Sequence, residues 1–306
     1  MIRKNPFKDI YNMSECRFSY KCKLPAFPLF LDLEITNSCN LDCLMCGRQI
    51  MKRKIGFMEF TLFKKIIDEA SREKCKGIRF IRYGEPFLHK DVFRMILYVK
   101  EKNMPVHLTT NGTFSEDVLN KIIDSGLDSI IFSFQGTTPD EYRKMRNTDK
   151  YGLLVNNIKK LVTLRDKKER PFIQINTTLL DEGKKEVGEF MKYWSGVVDN
   201  VDYWYTSFRG LEHVERLKPL LKRERIDIGS GLCTEVRTKL SINWDGFVTA
   251  CCQDFDKELI VGDLNKNTLK EIWNGDIIRK LRDILAVGKR DQIPFCRKCR
   301  SKFLES

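Results

Sequence analysis

The sequence predicts an α/β fold: a partial (β/α)6, TIM-like barrel followed by a small α+β unit. Short apolar strand patterns alternate with amphipathic helical stretches from about residue 29 to 207, the signature of βα units around a parallel sheet. A cysteine-rich loop follows directly on the first strand, at the carboxyl end where such barrels place their chemistry. Beyond Gly229-Ser230-Gly231 the texture changes to cysteines, a hairpin turn and one or two helices. These features divide the chain into an extension over 1–28, a barrel over 29–225 and a second unit over 226–306.

The strands are expected at residues 30–35, 77–82, 105–110, 129–134, 172–178 and 202–206, where apolar residues cluster in short runs. Between them, residues 60–73, 91–102, 115–125, 151–165 and 185–194 carry apolar side chains at helical spacing. A basic, helix-like connector over 211–225 leads to the glycine-rich boundary. In the second unit Asp245-Gly246 is a hairpin signal, with strands at 239–243 and 247–250 on either side. Residues 1–28 contain Cys16 and Cys22 and show no clear periodicity.

The 306 residues suffice for one barrel-sized domain plus a small unit. No apolar run reaches the roughly 18 residues of a membrane span, and Met1-Ile2-Arg3-Lys4-Asn5-Pro6 lacks the apolar core of a secretory signal. A cytoplasmic protein with no membrane partner is therefore expected. Eleven cysteines in such a chain argue for metal ligation in a reducing compartment rather than for disulfides. The net charge of +13 favours acidic partners. Lysine and arginine are nevertheless spread along the chain, as in Lys64-Lys65 and Lys184-Lys185, so solvated helix faces are preferred over a nucleic-acid surface.

The most specific motif is Cys39, Cys43 and Cys46, spaced C-x3-C-x2-C. A cubane iron–sulfur cluster takes one thiolate per iron, so three thiolates leave one iron open for chemistry. The competing reading is a structural zinc site or unrelated thiols. Zinc motifs usually pair two C-x2-C knuckles or add nearby histidines, and His89, His107 and His213 are far away in sequence. At Ile35-Thr36-Asn37-Ser38-Cys39-Asn40-Leu41-Asp42-Cys43-Leu44-Met45-Cys46 the chain resembles the radical S-adenosylmethionine (radical SAM) superfamily. The resemblance implies that S-adenosyl-L-methionine chelates the open iron of a [4Fe-4S] cluster and is cleaved to a 5′-deoxyadenosyl radical.

Arg82-Tyr83-Gly84-Glu85-Pro86 resembles the family's G-G-E-P motif, with Tyr83 in place of the first glycine. The resemblance implies that Gly84 and Glu85 receive the cofactor's ammonium group. It also implies contacts to cofactor ribose, carboxylate or substrate at Thr110 and Asn111, at Ser133, and at Asn176. Arg146 resembles an arginine that pairs with the cofactor carboxylate, a role that suits a guanidinium fork. Met45 stands where the family commonly packs an aromatic against adenine.

In the carboxyl-terminal unit, Cys233, Cys251, Cys252, Cys296 and Cys299 offer four or five thiolates, enough to complete a cubane cluster. The region is similar to the shortened SPASM module called the twitch domain, which holds one auxiliary [4Fe-4S] cluster. Its glycine-to-cysteine spacing from Gly246 favours Cys251 over Cys252, giving Cys233, Cys251, Cys296 and Cys299 as the ligand set. A structural zinc on the same four thiolates is the alternative.

An auxiliary cluster with four protein ligands suits electron transfer. The cysteine pattern resembles twitch-domain dehydrogenases that oxidise a secondary alcohol of a cyclitol. The expected activity is hydrogen abstraction from a small polar, sugar- or cyclitol-like substrate for dehydrogenation or epimerisation, with a flavodoxin- or ferredoxin-like reductant as partner. A ribosomal-peptide maturase is a second reading, disfavoured because residues 1–28 are too short for a peptide-recognition domain. An RNA-modifying enzyme and a non-catalytic electron carrier are further alternatives. Tyr83, Asp202, Tyr203, Tyr205, Arg209 and Cys252 are the candidates for radical relay or proton removal, and the sequence assigns the role to no one of them.

Overall fold

The computed structural model describes residues 3–12, 23–166, 168–208, 214–222, 233, 235–297 and 299. Cys16, Cys22, Arg209, His213 and the expected boundary at Gly229-Ser230-Gly231 lie outside them.

Among the described residues nine strands form one open sheet in the order β6-β5-β4-β3-β2-β1-β7-β8-β9. The barrel strands are β1 (Phe30–Leu33), β2 (Gly77–Phe80), β3 (Val106–Thr110), β4 (Ser129–Ser133), β5 (Phe172–Leu179) and β6 (Asn200–Tyr205). All pair in parallel with their sequence neighbours. The carboxyl-terminal strands are β7 (Lys239–Ile242), β8 (Phe247–Thr249) and β9 (Ile260–Asp263), and they do not make a sheet of their own. Instead β7 runs parallel to β1, register Phe30↔Lys239, and β8 and β9 continue antiparallel from it. The hairpin thus lies beside the strand that leads into the cysteine loop.

Helices α1 (Pro6–Asn12), α2 (Phe60–Arg72), α3 (Val92–Glu101), α4 (Asp117–Asp124), α5 (Pro139–Arg146), α6 (Tyr151–Arg165) and α7 (Lys184–Ser195) accompany the barrel. The short α8 (Lys218–Leu221), α9 (Glu235–Thr238) and α12 (Pro294–Arg297), with α10 (Leu269–Asn274) and α11 (Asp276–Ala286), complete the described helices. Sequence periodicity misses α5, a mostly polar segment that opens with Pro139 and a reciprocal capping box between Thr138 and Glu141. It also misses α1.

Strand alternation sorts side chains onto two faces. Leu31, Leu33, Ile78, Phe80, Val106, Leu108, Ile130 and Phe132 pack with Phe63, Ile66 and Ile67 of α2 and Ile158 and Leu161 of α6 in the main core. The opposite face carries Asp32, Arg79 and His107, all buried. Arg79 donates Nε to Asp32 Oδ1 at 2.6 Å, and Lys239 Nζ lies 2.8 Å from Asp32 Oδ2. Burial raises the Asp32 carboxyl, but the Arg79 and Lys239 charges overcome that cost and leave it below the ordinary carboxylate range. Helix α1 closes this layer: Phe7 meets His107 edge-on, with centroids 5.6 Å apart. A Cβ at Gly77 would stand 2.6 Å from the Phe7 ring.

The carboxyl-terminal half is tied to the barrel by buried polar groups. Glu69 of α2 accepts from the backbone N–H groups of Leu269 and Lys270, each at 2.9 Å, and so caps the start of α10. Trp273 donates its indole N–H to the Pro25 carbonyl at 2.8 Å.

Candidate active site

The loop after β1 is fixed before its first cysteine. Thr36 Oγ1 donates to the Gly56 carbonyl at 2.8 Å, and Asn37 exchanges two hydrogen bonds with the Lys54 carbonyl and the Gly56 N–H. Leu44 N–H donates to the Met145 carbonyl at 2.8 Å, which joins the loop to the end of α5. Cys43 is buried, and Cys39 and Cys46 are half-buried. Burial pushes the Cys46 thiol up to about 11 and the Cys39 thiol upward as well. Bound iron would reverse that preference, because a coordinating thiol is deprotonated.

A cavity of about 320 Å³ opens at the carboxyl ends of β1 to β4. Cys39, Cys43 and Cys46 line it, as do Gly84 and Glu85. Thr110, Asn111, Ser133 and Arg146 line it too, and Met45 with them. Asn176 does not: its carboxamide oxygen accepts from Gln174 at 2.7 Å and its carbonyl from Phe134 N–H. Arg48, Arg82, Ser207 and Gln253 are wall residues that sequence reasoning missed. Among the described residues no three His, Cys, Asp or Glu side chains close on one ion. A cubane, which offers a different iron to each thiolate, needs no such convergence.

Gly84 adopts φ +92°, and a Cβ there would stand 2.2 Å from the Thr36 carbonyl oxygen. Its missing side chain is what lets the Gly84-Glu85 turn sit on the entry to the cysteine loop. Glu85 N–H donates to the Ser38 carbonyl at 2.7 Å. The Glu85 carboxylate accepts from Thr110 Oγ1 and Asn111 N–H, both at 2.8 Å. Burial pushes this carboxyl up to about 7 in spite of those donors. A cation in the cavity would favour its ionised form.

From the segment that carries Cys251 and Cys252, Gln253 reaches the cavity wall. Cys299 N–H donates to the Cys296 carbonyl at 2.9 Å, and burial pushes the Cys233 thiol up to about 12, with nearby Cys296 and Cys299 adding to the rise. After Cys251 and Cys252 the chain returns toward the barrel. Arg82 donates to Thr249 Oγ1 at 3.1 Å, the Cys251 carbonyl at 3.4 Å and the Asp254 carbonyl at 2.8 Å. Tyr83 donates its hydroxyl to the Gln253 carbonyl at 3.1 Å. Burial raises the Tyr83 phenol well above its ordinary value, and the nearby Cys46, Cys251 and Cys252 also contribute. Of the other relay candidates, Tyr203 and Tyr205 stand exposed on edge strand β6, and Asp202 is engaged by Gln174 and Asn200.

A parallel βα sheet with a cysteine-lined cavity at its carboxyl ends has the build of an enzyme that takes a metal cofactor, and comparison with known families gives the class. Residues 33–193 match the radical SAM superfamily and residues 233–300 match the SPASM iron-sulfur cluster-binding domain; the chain belongs to the radical SAM superfamily and carries a carboxyl-terminal SPASM domain. Its cofactors are S-adenosylmethionine and [4Fe-4S] clusters, and AdoMet is bound in several structural neighbours.

Among relatives, the chain is 31% identical over 168 residues to the tungsten-containing aldehyde ferredoxin oxidoreductase cofactor-modifying protein of Pyrococcus furiosus, covering 54% of this chain and 47% of that protein. The chain thus spans about half the length of that relative. It is 22% identical over 275 residues to the S-adenosyl-L-methionine-dependent 2-deoxy-scyllo-inosamine dehydrogenase of Niallia circulans, covering 88% and 91%. The solved structure of SuiB bound to precursor peptide SuiA, from Streptococcus suis, shares the fold with a TM-score of 0.68 at 14% identity, covering 85% and 67%. Among the described residues no helix is long and apolar enough to cross a membrane.

Proposed function

We propose that Cys39, Cys43 and Cys46 hold the [4Fe-4S] cluster that takes S-adenosylmethionine, and that Cys233, Cys251, Cys296 and Cys299 hold an auxiliary [4Fe-4S] cluster. On this reading the barrel, residues 29–225, carries the first site and residues 226–306 the second. The protein is a radical SAM oxidoreductase of dehydrogenase or epimerase type acting on a small polar, sugar- or cyclitol-like molecule. The observation that carries this reading is the shared wall of the cavity: Gln253, directly after Cys251 and Cys252, lines the same space as Cys39, Cys43 and Cys46. A second redox group beside the substrate space suits removal of an electron from a substrate radical. The near full-length likeness to 2-deoxy-scyllo-inosamine dehydrogenase supports a cyclitol-like substrate.

When bound, the cluster and S-adenosylmethionine supply a 5′-deoxyadenosyl radical that abstracts hydrogen from the substrate. The chain's own residues bind and orient. Glu85, a buried carboxylate at the cavity wall, and the Gly84 carbonyl would receive the cofactor's ammonium group. Arg146 Nε, buried without a hydrogen-bond partner, and Ser133, both on the cavity wall, would hold the cofactor carboxylate. Thr110 holds Glu85 in place through its hydroxyl. Asn176, outside the cavity wall, has no part in this reading. Thiolate-held iron–sulfur clusters suit a reducing, cytoplasmic setting, and the net charge of +13 suits an acidic flavodoxin- or ferredoxin-like reductant.

The test is anaerobic reconstitution of the wild type and the triple Cys39, Cys43, Cys46→Ala variant. About eight irons falling to about four, with loss of 5′-deoxyadenosine formation, is expected for one cubane at each site. Iron that stays at the wild-type level in the triple variant overturns the assignment. With a panel of cyclitols and sugars, a product lighter by two hydrogens marks dehydrogenation, and uptake of solvent deuterium at a carbon without loss of hydrogen marks epimerisation.

A further inference from the structure

Two side chains that sequence resemblance assigns to the cofactor also point at cysteine sulfurs. Asn111 Oδ1 accepts from the Thr113 N–H at 2.8 Å and from Thr113 Oγ1 at 2.7 Å, which fixes the orientation of the carboxamide. Its Nδ2 must therefore face the other way, where it donates to Asn40 Oδ1 at 2.8 Å and to Cys39 Sγ at 3.7 Å. Arg146 is fixed in the same manner. Its Nη2 donates to the carbonyls of Ser133 and Phe134 at 2.9 and 3.1 Å, and its Nη1 donates to Cys43 Sγ at 3.6 Å. The Leu44 to Met145 backbone bond holds the cysteine loop and the end of α5 at this separation.

We infer that Asn111 and Arg146 are positioning residues that set the reduction potential of the first cluster by donating N–H···S hydrogen bonds to Cys39 and Cys43. Hydrogen bonds to the sulfurs are one of the means by which a protein sets an iron–sulfur potential. A donor stabilises the sulfur more strongly as its negative charge grows, so it favours the reduced form. Arg146 adds a full positive charge, and a charged donor outweighs a neutral one. Its effect exceeds that of Asn111 and has the same sign. Both residues act through the thiolates, so the effect is confined to the first cluster.

The inference rests on the reading that Cys39, Cys43 and Cys46 hold that cluster. The experiment is an anaerobic redox titration of the reconstituted enzyme, followed by electron paramagnetic resonance, with the auxiliary cluster as internal reference. Arg146→Leu is expected to disfavour one-electron reduction of the first cluster about tenfold, which is a fall of about 59 mV. Asn111→Leu gives a smaller fall, and Arg146→Lys, which keeps the charge, gives a smaller fall than Arg146→Leu. The auxiliary potential stays where it is in all three. If Arg146→Leu fails to load iron, Arg146→Gln, which loses the charge and keeps an N–H donor, is expected to fall below Arg146→Lys. Full iron with an unmoved first potential, or equal shifts of both clusters, overturns the inference alone. A low-potential signal that survives the triple cysteine variant overturns the reading beneath it.

Discussion

Phe255 lies against Gly47: a Cβ at that glycine would meet the ring at 2.5 Å. Gly47 directly follows Cys46, and Phe255 comes four residues after Cys251. The loop that carries Cys39, Cys43 and Cys46 and the segment after Cys251 and Cys252 therefore interlock through a glycine and an aromatic ring. The Phe255 ring also meets Tyr83 edge-on, with centroids 6.0 Å apart. Gly47→Val is expected to push the ring out and destabilise the protein by about 1–3 kcal/mol, the usual cost of overpacking. A double-mutant cycle with Phe255→Ala, read by thermal unfolding, checks it: the valine should cost far less once the ring is gone. Equal costs in both backgrounds would show that the contact carries no energy.

Arg82 holds the same loop from the other side and bears a backbone cost to do so, since its φ of +106° is a region that non-glycine residues rarely adopt. Three acceptors, Thr249 Oγ1 and the carbonyls of Cys251 and Asp254, converge on its guanidinium. Arg82→Leu leaves those groups without their charged donor and is expected to cost about 2–3 kcal/mol. Native-state proteolysis should then cut within residues 249–256 faster than in the wild type, with other sites unchanged. A uniform rise in cutting would argue against a local clamp.

Gly84→Ala tests whether the turn before Glu85 is constrained by the cysteine loop. The new methyl would meet the Thr36 carbonyl oxygen at 2.2 Å in a backbone conformation that disfavours any side chain. The unfavourable φ alone costs about 1–3 kcal/mol, and the backbone clash adds to it. Thermal unfolding of the protein without its clusters should show the loss, so the effect is separable from cofactor binding. An unchanged melting temperature would mean that the two loops move apart freely.

Much of this architecture was legible because strand and helix periodicity and cysteine spacing are local signals. The six barrel strands and the hairpin at Asp245-Gly246 follow from runs of a few residues. Their ends are less clear: β1 stops at Leu33 rather than at residue 35, because the chain there turns into the loop that binds Gly56. The pairing of β7 with β1 joins distant segments, and no local pattern announces it. Helix α5 did carry a signal, the Thr138 and Glu141 capping box, but its polar composition gives little apolar stripe to read. Asn111 and Arg146, which motif resemblance singles out, line the cavity. Their aim at Cys39 and Cys43 depends on Thr113 and on the Ser133 and Phe134 carbonyls, which only the folded chain brings into place.

His107 gives the fold an acid-side weakness. Its ring lies between Ser129 Oγ and Thr109 Oγ1, each at 3.1 Å, with the Phe7 ring edge-on. The Arg79 guanidinium and the Asp32 carboxylate are the charges that act on it. Burial and then the Arg79 charge push its pKa from 6.5 down to about 3. In the unfolded chain the imidazole takes up a proton near the ordinary value, whereas the native ring stays neutral until far lower pH. The unfolded state therefore binds more protons between these values, and stability contributed by the neutral ring is present above about pH 6.5 and is lost as the pH falls toward about 3. Replacing His107 by Gln removes this group's share of the titration while keeping a polar side chain beside Ser129 and Thr109. Thermal unfolding of the two proteins across this range is expected to show a shallower acid-side decline in the variant. Parallel curves would place the acid sensitivity elsewhere, with the Asp32 carboxylate that Arg79 and Lys239 hold ionised as the next group to test.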